Sequence, residues 1–240
     1  MIQRGFDPLQ SFHDGRGESG CRHSIEEFWQ RNMLKRFFAT FAPFFSRFSR
    51  PLTAENMPIT LITGPSRSGK SEWAEHLARS RSGSVIYVAT AQRRADDAEW
   101  QARIDQHQQR RPADWTCLEE PVNLAALLAT AAAGECWLVD ALGTWLANVL
   151  EQDEDTWQST VATLLAVLRS SPADLILVAE ETGWGVVPAY PLGRIFRDRL
   201  GSLTRRIGAI AQSVYLVTGG YALDLTQLGV RLPEPDGATE

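Results

Sequence analysis

The segment from Gly64 to Ser71 constrains this chain more than any other part of its sequence. It reads G-P-S-R-S-G-K-S, which matches the phosphate-binding loop pattern G-x-x-x-x-G-K-[ST]. The apolar run 59–63 precedes it and a helix-like stretch, 72–78, follows it, as that pattern requires. The sequence therefore predicts a strand, a phosphate-binding loop and a helix, and with them a site for a nucleoside triphosphate.

The chemistry of the loop follows from its residue types. Its glycines allow backbone N–H groups to close around a polyphosphate, Lys70 reaches the terminal phosphates, and the Ser71 hydroxyl is placed to hold Mg²⁺. We expect nucleotide contacts along the whole loop, from Gly64, Pro65, Ser66, Arg67, Ser68, Gly69, Lys70 and Ser71. The alternative is an ordinary glycine turn that enters a helix. Lys70 argues against it. It is the only lysine after Lys35, and where arginine is used at all the other Lys or Arg positions, a lysine here suggests that the compact ammonium is needed.

Composition excludes several classes of protein. With 240 residues, 44% of them hydrophobic and 22% charged, the chain has the length and balance of one sizeable α/β domain, or at most two small ones. The net charge of -5 argues against general nucleic-acid binding. Three scattered cysteines are too few for a disulfide framework or a four-ligand zinc site, which favours a reducing compartment. No apolar run approaches the ~18 residues of a membrane span. We therefore expect a cytoplasmic protein without a membrane span.

Apolar, β-branched runs alternate with helix-like stretches along the chain. We expect strands at 59–63, 85–89, 115–118, 136–140, 174–179 and 213–218, and helices at 72–78, 96–109, 122–133, 142–150, 156–169 and 192–211. Gly219-Gly220 then turns the chain into 221–225, which we expect to be an antiparallel edge strand. The pattern predicts an α/β protein with a P-loop NTPase-like three-layer fold, in which helices cover both faces of a mostly parallel sheet.

The two ends of the chain differ from this body. Residues 1–56 are polar at first and then aromatic and basic. We expect a poorly ordered extension, or upstream sequence wrongly joined to the gene, with Met57 as the natural start. A membrane-surface or targeting helix is the alternative, and Pro43 and the acidic residues count against it. Residues 57–232 are expected to form the nucleotide-binding domain and residues 233–240 a flexible tail.

Polar residues follow two of the predicted buried strands. Residues just past the ends of parallel strands face the ligand crevice, so Thr90, Ala91 and Gln92 are expected nucleotide contacts. Asp140 ends a buried strand and is expected to hold Mg²⁺ together with Ser71. Its alternative role is to cap the next helix.

The segment Gly183-Trp184-Gly185 follows the strand 174–179. It predicts either a shaped loop over the active site or a tryptophan fixed in the core by tight turns. The spacing leaves both interpretations open.

Several segments, taken in order, resemble the bifunctional adenosylcobinamide kinase/adenosylcobinamide-phosphate guanylyltransferase family of cobalamin biosynthesis. The resemblance covers about residues 57–225. The segments are Gly64–Ser71, Tyr87–Gln92, Arg103-Ile104 with His107, Arg111-Pro112 with Trp115, Glu119–Pro121, Val139-Asp140 with Trp145-Leu146 and Asn148, Gly183–Gly185 with Pro188, and Phe196–Asp198 with Gly201.

The resemblance implies two reactions. ATP or GTP phosphorylates the aminopropanol hydroxyl of adenosylcobinamide, and GMP then passes from GTP to that phosphate through a guanylyl-histidine intermediate. The histidine of the family motif falls on His107, and Lys70 and His107 are therefore the expected catalytic residues. Further nucleotide contacts are implied at Arg103, Arg111 and Glu119, with Mg²⁺ as cofactor and a homo-oligomer, in trimeric form, as the assembly. From the residues alone, His107 would be assigned to the edge of a packed helix face.

Two departures from the family pattern lie where the corrinoid is expected. Ala179-Glu180 stands where relatives usually have Ser-Asn, and Thr204 stands where they often have asparagine. Both leave the nucleotide chemistry intact. Two other functions stay open on the sequence. One is a small-molecule kinase that transfers phosphate directly to an acceptor hydroxyl without His107, and the other is a regulatory module that binds GTP without turnover.

Overall fold

Seven strands form one sheet in the order β3-β2-β4-β5-β1-β6-β7. The computed structural model describes residues 58–92 and 111–233. The strands are β1 Ile59–Gly64, β2 Ser84–Ala89, β3 Thr116–Glu119, β4 Glu135–Asp140, β5 Asp174–Glu180, β6 Ser213–Thr218 and β7 Tyr221–Asp224. Every neighbouring pair is parallel except β6 and β7, where Thr218 lies opposite Tyr221. The predicted parallel sheet with an antiparallel edge strand is confirmed.

Helices lie on both faces of this sheet. They are α1 Lys70–Arg79, α2 Leu124–Leu128, α3 Leu142–Asn148, α4 Glu154–Ser170, α5 Pro191–Ile210 and α6 Leu225–Leu228. Alternate residues of a strand point to opposite faces, so Leu61 belongs to the core shared with α2 to α5, and Ile62 to the core shared with α1. This arrangement confirms the three-layer α/β fold.

The two longest helices have clear sequence causes. α4 begins after Asp153, whose side chain accepts a hydrogen bond from the Thr156 N–H at 2.9 Å. α5 has Pro191 at its first position, where the missing N–H costs nothing, and it buries Leu200, Leu203 and Ile207 at helical spacing. These buried faces hold α5 against β1 and β5, and α4 against α2 and α5.

One sequence prediction about local structure is wrong, and one of two open interpretations is excluded. The helix expected at 122–133 covers only Leu124–Leu128, because the chain then tightens into i to i+3 bonds from the N–H groups of Thr130 and Ala131. The Thr130 hydroxyl also donates to the Leu127 carbonyl, which competes with continued helix. Trp184 is 64% exposed, so the interpretation that the core fixes this ring is excluded.

Some predictions lie outside the described residues. These are the helix expected at 96–109, the extension 1–56 with Met57, and the tail from residue 234 onward. All described residues fall in the unit that runs from Ala54 to Glu240. In the described ranges, none of the helices has both the length and the apolar character that crossing a bilayer requires.

Candidate functional site

A cleft of about 320 Å³ opens at the carboxyl edge of the sheet. Strands β1, β2, β4 and β5 all end at this edge with Gly64, Ala89, Asp140 and Glu180. Six residues predicted from the sequence line the cleft: Ser66, Lys70, Ser71, Ala91, Arg111 and Asp140. The topology therefore brings together groups that are widely separated in the sequence.

The loop between β1 and α1 has the backbone that its pattern predicts. Gly69 has φ 91° and Arg67 has φ 57°, both in the left-handed region. A Cβ at Gly64 would collide with the Val217 carbonyl oxygen, so the chain needs glycine where the loop leaves the sheet. Lys70 is only 7% exposed, and its Nζ donates to the Pro65 carbonyl at 3.3 Å. The ammonium therefore folds back over the loop.

Ser71 and Asp140 meet at the base of the cleft. The Ser71 hydroxyl donates to Asp140 Oδ1 at 3.2 Å, and the Tyr87 hydroxyl donates to Asp140 Oδ2 at 2.8 Å. The alternative role of Asp140 as a helix cap is not observed, because α3 follows Ala141 and has no side-chain cap bond there.

The donor set at Ser71 and Asp140 suits Mg²⁺. This cation prefers hard oxygen ligands, keeps several waters, and commonly takes only one or two protein ligands beside the phosphates. The described residues contain no cluster of three or more His, Cys, Asp or Glu side chains that could hold a metal ion. One hydroxyl and one carboxylate next to a phosphate-binding loop therefore fit a nucleotide-bound Mg²⁺.

Arg111 and Tyr87 stack on the opposite wall. The Arg111 guanidinium carbon lies 3.5 Å from the centre of the Tyr87 ring. Its Nε is buried and lacks a hydrogen-bond partner within the described part of the chain, while its terminal nitrogen reaches only the Cys117 sulfur at 3.9 Å. Burial, with the Asp140 charge as a second cause, holds the pKa of Tyr87 well above its usual value. The phenol thus stays protonated and donates a hydrogen bond to Asp140.

Glu180 is a carboxylate that the nucleotide chemistry does not require. One of its oxygens accepts from the Gly143 N–H at 2.9 Å, and it lines the cleft with Lys70. Burial raises the pKa of Glu180, the positive charge of Lys70 acts against that shift, and the Asp140 charge adds to it. Glu180 is one of three acidic residues that line the cleft, with Asp140 and Glu181.

The predicted contacts at the end of β2 divide into two groups. Ala91 lines the cleft, whereas the Thr90 hydroxyl is fully buried and bonds to Ala141 and Thr144. Asn148 ties this segment down, because its Nδ2 donates to the Thr90 carbonyl at 2.9 Å and to the Pro121 carbonyl at 3.0 Å. Thr90 therefore shapes the crevice from behind.

The other predicted contacts do not line the cleft or lie outside the described residues. Those that do not line it are Gly64, Pro65, Arg67, Ser68, Gly69, Gln92 and Glu119. Arg103 and His107 lie outside the described residues, so their roles stay predictions.

Besides Glu180, four polar residues of the lining were not predicted: Tyr87, Thr144, Glu181 and Thr182. Tyr87 carried a usable signal, because a tyrosine inside a buried strand needs a partner for its hydroxyl, and a strand-end carboxylate is an obvious one. No comparable signal marks the others, which depend on how α3 and the segment after β5 are placed.

Comparisons with known proteins agree with this geometry. The family model for cobinamide kinase / cobinamide phosphate guanyltransferase matches residues 60–225. The chain is 44% identical over 167 residues to the bifunctional adenosylcobalamin biosynthesis protein CobP of Pseudomonas aeruginosa, which covers 69% of this chain and 95% of that protein. It is 34% identical over 182 residues to each of the CobU proteins of Escherichia coli and Salmonella typhimurium, which covers 70% of this chain and 99% of each relative. This chain therefore belongs to the cobinamide kinase / cobinamide phosphate guanyltransferase family.

Proposed function

We propose that this chain phosphorylates adenosylcobinamide with ATP or GTP and then transfers GMP from GTP to that phosphate, which yields adenosylcobinamide-GDP. The observation that carries the proposal is the contact of Ser71 with Asp140 at 3.2 Å beside Lys70. It joins the phosphate-binding loop to a strand-end carboxylate, which is the arrangement that phosphoryl transfer requires. Family membership supplies the acceptor.

In the first reaction, the loop holds the triphosphate and Lys70 lies against its terminal phosphates. The acceptor hydroxyl attacks the γ-phosphorus, the bond to the β–γ bridging oxygen breaks, and the nucleoside diphosphate leaves. The hydroxyl proton passes to solvent or to an acidic group of the cleft. Mg²⁺, held through Ser71 and Asp140, would neutralise charge on the phosphate oxygens.

In the second reaction, we propose that a neutral imidazole nitrogen of His107 attacks the α-phosphorus of GTP. The bond between the α-phosphorus and the bridging oxygen breaks, and pyrophosphate leaves while Lys70 stabilises its charge. A phosphate oxygen of adenosylcobinamide phosphate then attacks the same phosphorus and frees His107. Arg111, stacked on Tyr87, is placed to bind phosphate oxygens in its fork.

Product analysis tests this function directly. Purified protein is incubated with adenosylcobinamide, Mg²⁺ and ATP, then with GTP, and the corrinoids are identified by mass spectrometry. We expect the phosphate after ATP and the GDP derivative after GTP, with neither product from Lys70→Ala. If adenosylcobinamide phosphate forms but the GDP derivative does not, the protein is a small-molecule kinase. If nucleotide binds and neither product forms, it is a regulatory module.

We also propose that the chain forms a homo-oligomer, with a trimer as the expected form. The segment after β5 exposes large apolar side chains: Trp184 is 64% exposed, Val186 94% and Tyr190 80%. Apolar surface of this kind is characteristic of contact sites. Light scattering on the eluted protein should give three times the mass of the chain, and a monomeric mass would contradict the proposal.

A further inference from the structure

Tyr87 touches two separate functional groups of the cleft. It lies in the middle of β2 and is only 2% exposed, yet it lines the cleft. Its hydroxyl donates to Asp140 Oδ2 at 2.8 Å, and the Arg111 guanidinium carbon lies 3.5 Å from its ring centre. Tyr87 therefore contacts both an acidic residue of the cleft, Asp140, and a basic one, Arg111.

The hydroxyl contact fixes the rotation of the Asp140 carboxylate. Each oxygen of that carboxylate accepts from a different donor, Oδ1 from Ser71 and Oδ2 from Tyr87. Two donors on two oxygens leave one orientation favoured, and in it Oδ1 faces the Ser71 hydroxyl. If the tyrosine donor is removed, only the Ser71 contact of this pair still limits rotation of the Asp140 carboxylate about its Cβ–Cγ bond.

The ring contact fixes Arg111 in a different way. A guanidinium that stacks on an aromatic face keeps its N–H groups in the stacking plane, where they stay available for an anion. The buried Nε of Arg111 has no hydrogen-bond partner within 58–92 and 111–233, and the guanidinium lines the same cleft as Lys70. The ring is therefore a platform that presents cationic donors to phosphate.

We propose that Tyr87 is a positioning residue that acts through two separable parts. Its hydroxyl holds Asp140 in place for the cation bound with Ser71, and its ring holds Arg111 in place for the phosphates. The inference rests on the proposed nucleotide site, and it assigns Tyr87 a role in both reactions without contact with the reacting atoms.

The two parts can be separated by two substitutions. Tyr87→Phe keeps the ring and removes the hydroxyl, whereas Tyr87→Leu removes both. The probes are GDP in EDTA, measured by calorimetry, and Mn²⁺ added to the GDP complex, measured by electron paramagnetic resonance. We expect Tyr87→Phe to weaken Mn²⁺ binding on the order of tenfold, the loss typical of one hydrogen bond to a charged group, and to leave metal-free GDP affinity unchanged. Tyr87→Leu should weaken both.

A double-mutant cycle distinguishes an effect through Asp140 from a general disturbance of the fold by Tyr87→Phe. In an Asp140→Asn background, Tyr87→Phe should no longer change Mn²⁺ affinity, because the oriented carboxylate is already lost. Arg111→Ala, which leaves the buried tyrosine intact, should weaken metal-free GDP binding and spare the affinity of the GDP complex for Mn²⁺. This variant tests the premise of the ring half, that Arg111 binds the phosphates, even if the Tyr87 variants fold poorly.

The result that overturns the inference is a folded Tyr87→Phe whose Mn²⁺ affinity stays within about twofold of wild type, or an Arg111→Ala with normal GDP affinity. A Tyr87→Phe effect that persists unchanged with Asp140→Asn also overturns it. Failure of the proposed function looks different, since wild-type protein would then bind neither GDP nor GTP, or would bind them and form neither corrinoid product.

Discussion

The backbone N–H of Gly143 donates to Glu180 Oε2 at 2.9 Å, and the carboxylate lies where a side chain on residue 143 would start. The contact joins the first turn of α3 to the end of β5. Both elements line the cleft, so this glycine sets how closely the two sides of the site approach.

Gly143→Ala should therefore destabilise the protein, even though alanine is the better helix former. The added methyl group meets Glu180 Oε2 and forces the carboxylate or the helix to move, which we expect to cost about 1–3 kcal/mol. Urea unfolding measures the change. In a Glu180→Ala background, which lacks the clashing group, Gly143→Ala should cost little stability. If it costs as much there as in wild type, the clash lies elsewhere.

Gly201→Ala is the matched control. Gly201 is also helical, in α5, and a Cβ there would meet nothing within 4 Å. We expect this variant to be more stable than wild type by about 0.5–1 kcal/mol, because alanine loses less backbone freedom on folding. The same chemical change thus has opposite signs at the two positions.

Glu180 predicts a pH dependence of stability. Burial raises its pKa in the folded protein above the unfolded value, so the ionised form is disfavoured by folding. The contribution of Glu180 to the free energy of unfolding is fully present below its pKa in the unfolded chain. It is lost as the pH rises through its pKa in the folded protein. Relative to wild type, Glu180→Gln should therefore gain free energy of unfolding from pH 4 to pH 8. A flat difference across that range would contradict the assignment.

Glu135 supplies the control of opposite sign. Its carboxylate accepts hydrogen bonds from the Ala132 N–H and the Trp137 indole N–H, and these bonds lower its pKa in the folded protein. Its stabilising contribution is present above the unfolded pKa and is lost as the pH falls. Relative to wild type, Glu135→Gln should lose free energy of unfolding from pH 4 to pH 8, as Glu180→Gln gains it.

Lys70→Arg should abolish nucleotide binding although it keeps the charge. Lys70 is 7% exposed and bonds back to the Pro65 carbonyl, so a branched guanidinium does not fit the space of an ammonium. Thermal unfolding with GTP at ~100 times its Kd should show a stabilisation of about 2.7 kcal/mol in wild type and none in the variant. Arg169→Lys, at the exposed end of α4, should keep the full effect.

Arg199 holds the turn between α3 and α4 against α5. Its guanidinium donates to the carbonyls of Leu150 and Gln152 at 3.0 and 2.9 Å and lies 5.2 Å from the centre of the Trp157 ring. Arg199→Lys cannot reproduce this fork, and we expect a loss of about 1–2 kcal/mol in urea unfolding. Arg197→Lys is the control. Within the described residues, the Arg197 guanidinium forms an ion pair only with its neighbour Asp198, so this change should alter stability by less than about 0.5 kcal/mol.

Local patterns predicted the sheet and the loop well. The phosphate-binding loop, the six parallel strands and the turn at Gly219-Gly220 all have short-range causes: glycine at left-handed positions and β-branched apolar runs. The meeting of Ser71 with Asp140 was also predictable, because parallel strands end at the same edge of a sheet.

Contacts between distant elements were not predictable in the same way. The stack of Arg111 on Tyr87 and the approach of Glu180 to Gly143 depend on how helices settle on the sheet, and local patterns do not record that. Helix length was misjudged at 122–133, where alanine propensity favoured a continuation that the hydrogen bonds of Thr130 stop.

Covalent labelling shows directly whether one phosphate-binding loop serves both phosphoryl and guanylyl transfer. Protein is incubated with Mg²⁺ and GTP labelled at the α-phosphate, freed of nucleotide, and divided between denaturation and a chase with adenosylcobinamide phosphate. We predict a bound label that is labile to acid, stable to alkali, absent from His107→Ala and Lys70→Ala, and transferred to the corrinoid in the chase. A wild-type protein that phosphorylates adenosylcobinamide but carries no label, or a His107→Ala protein that keeps it, would contradict the account.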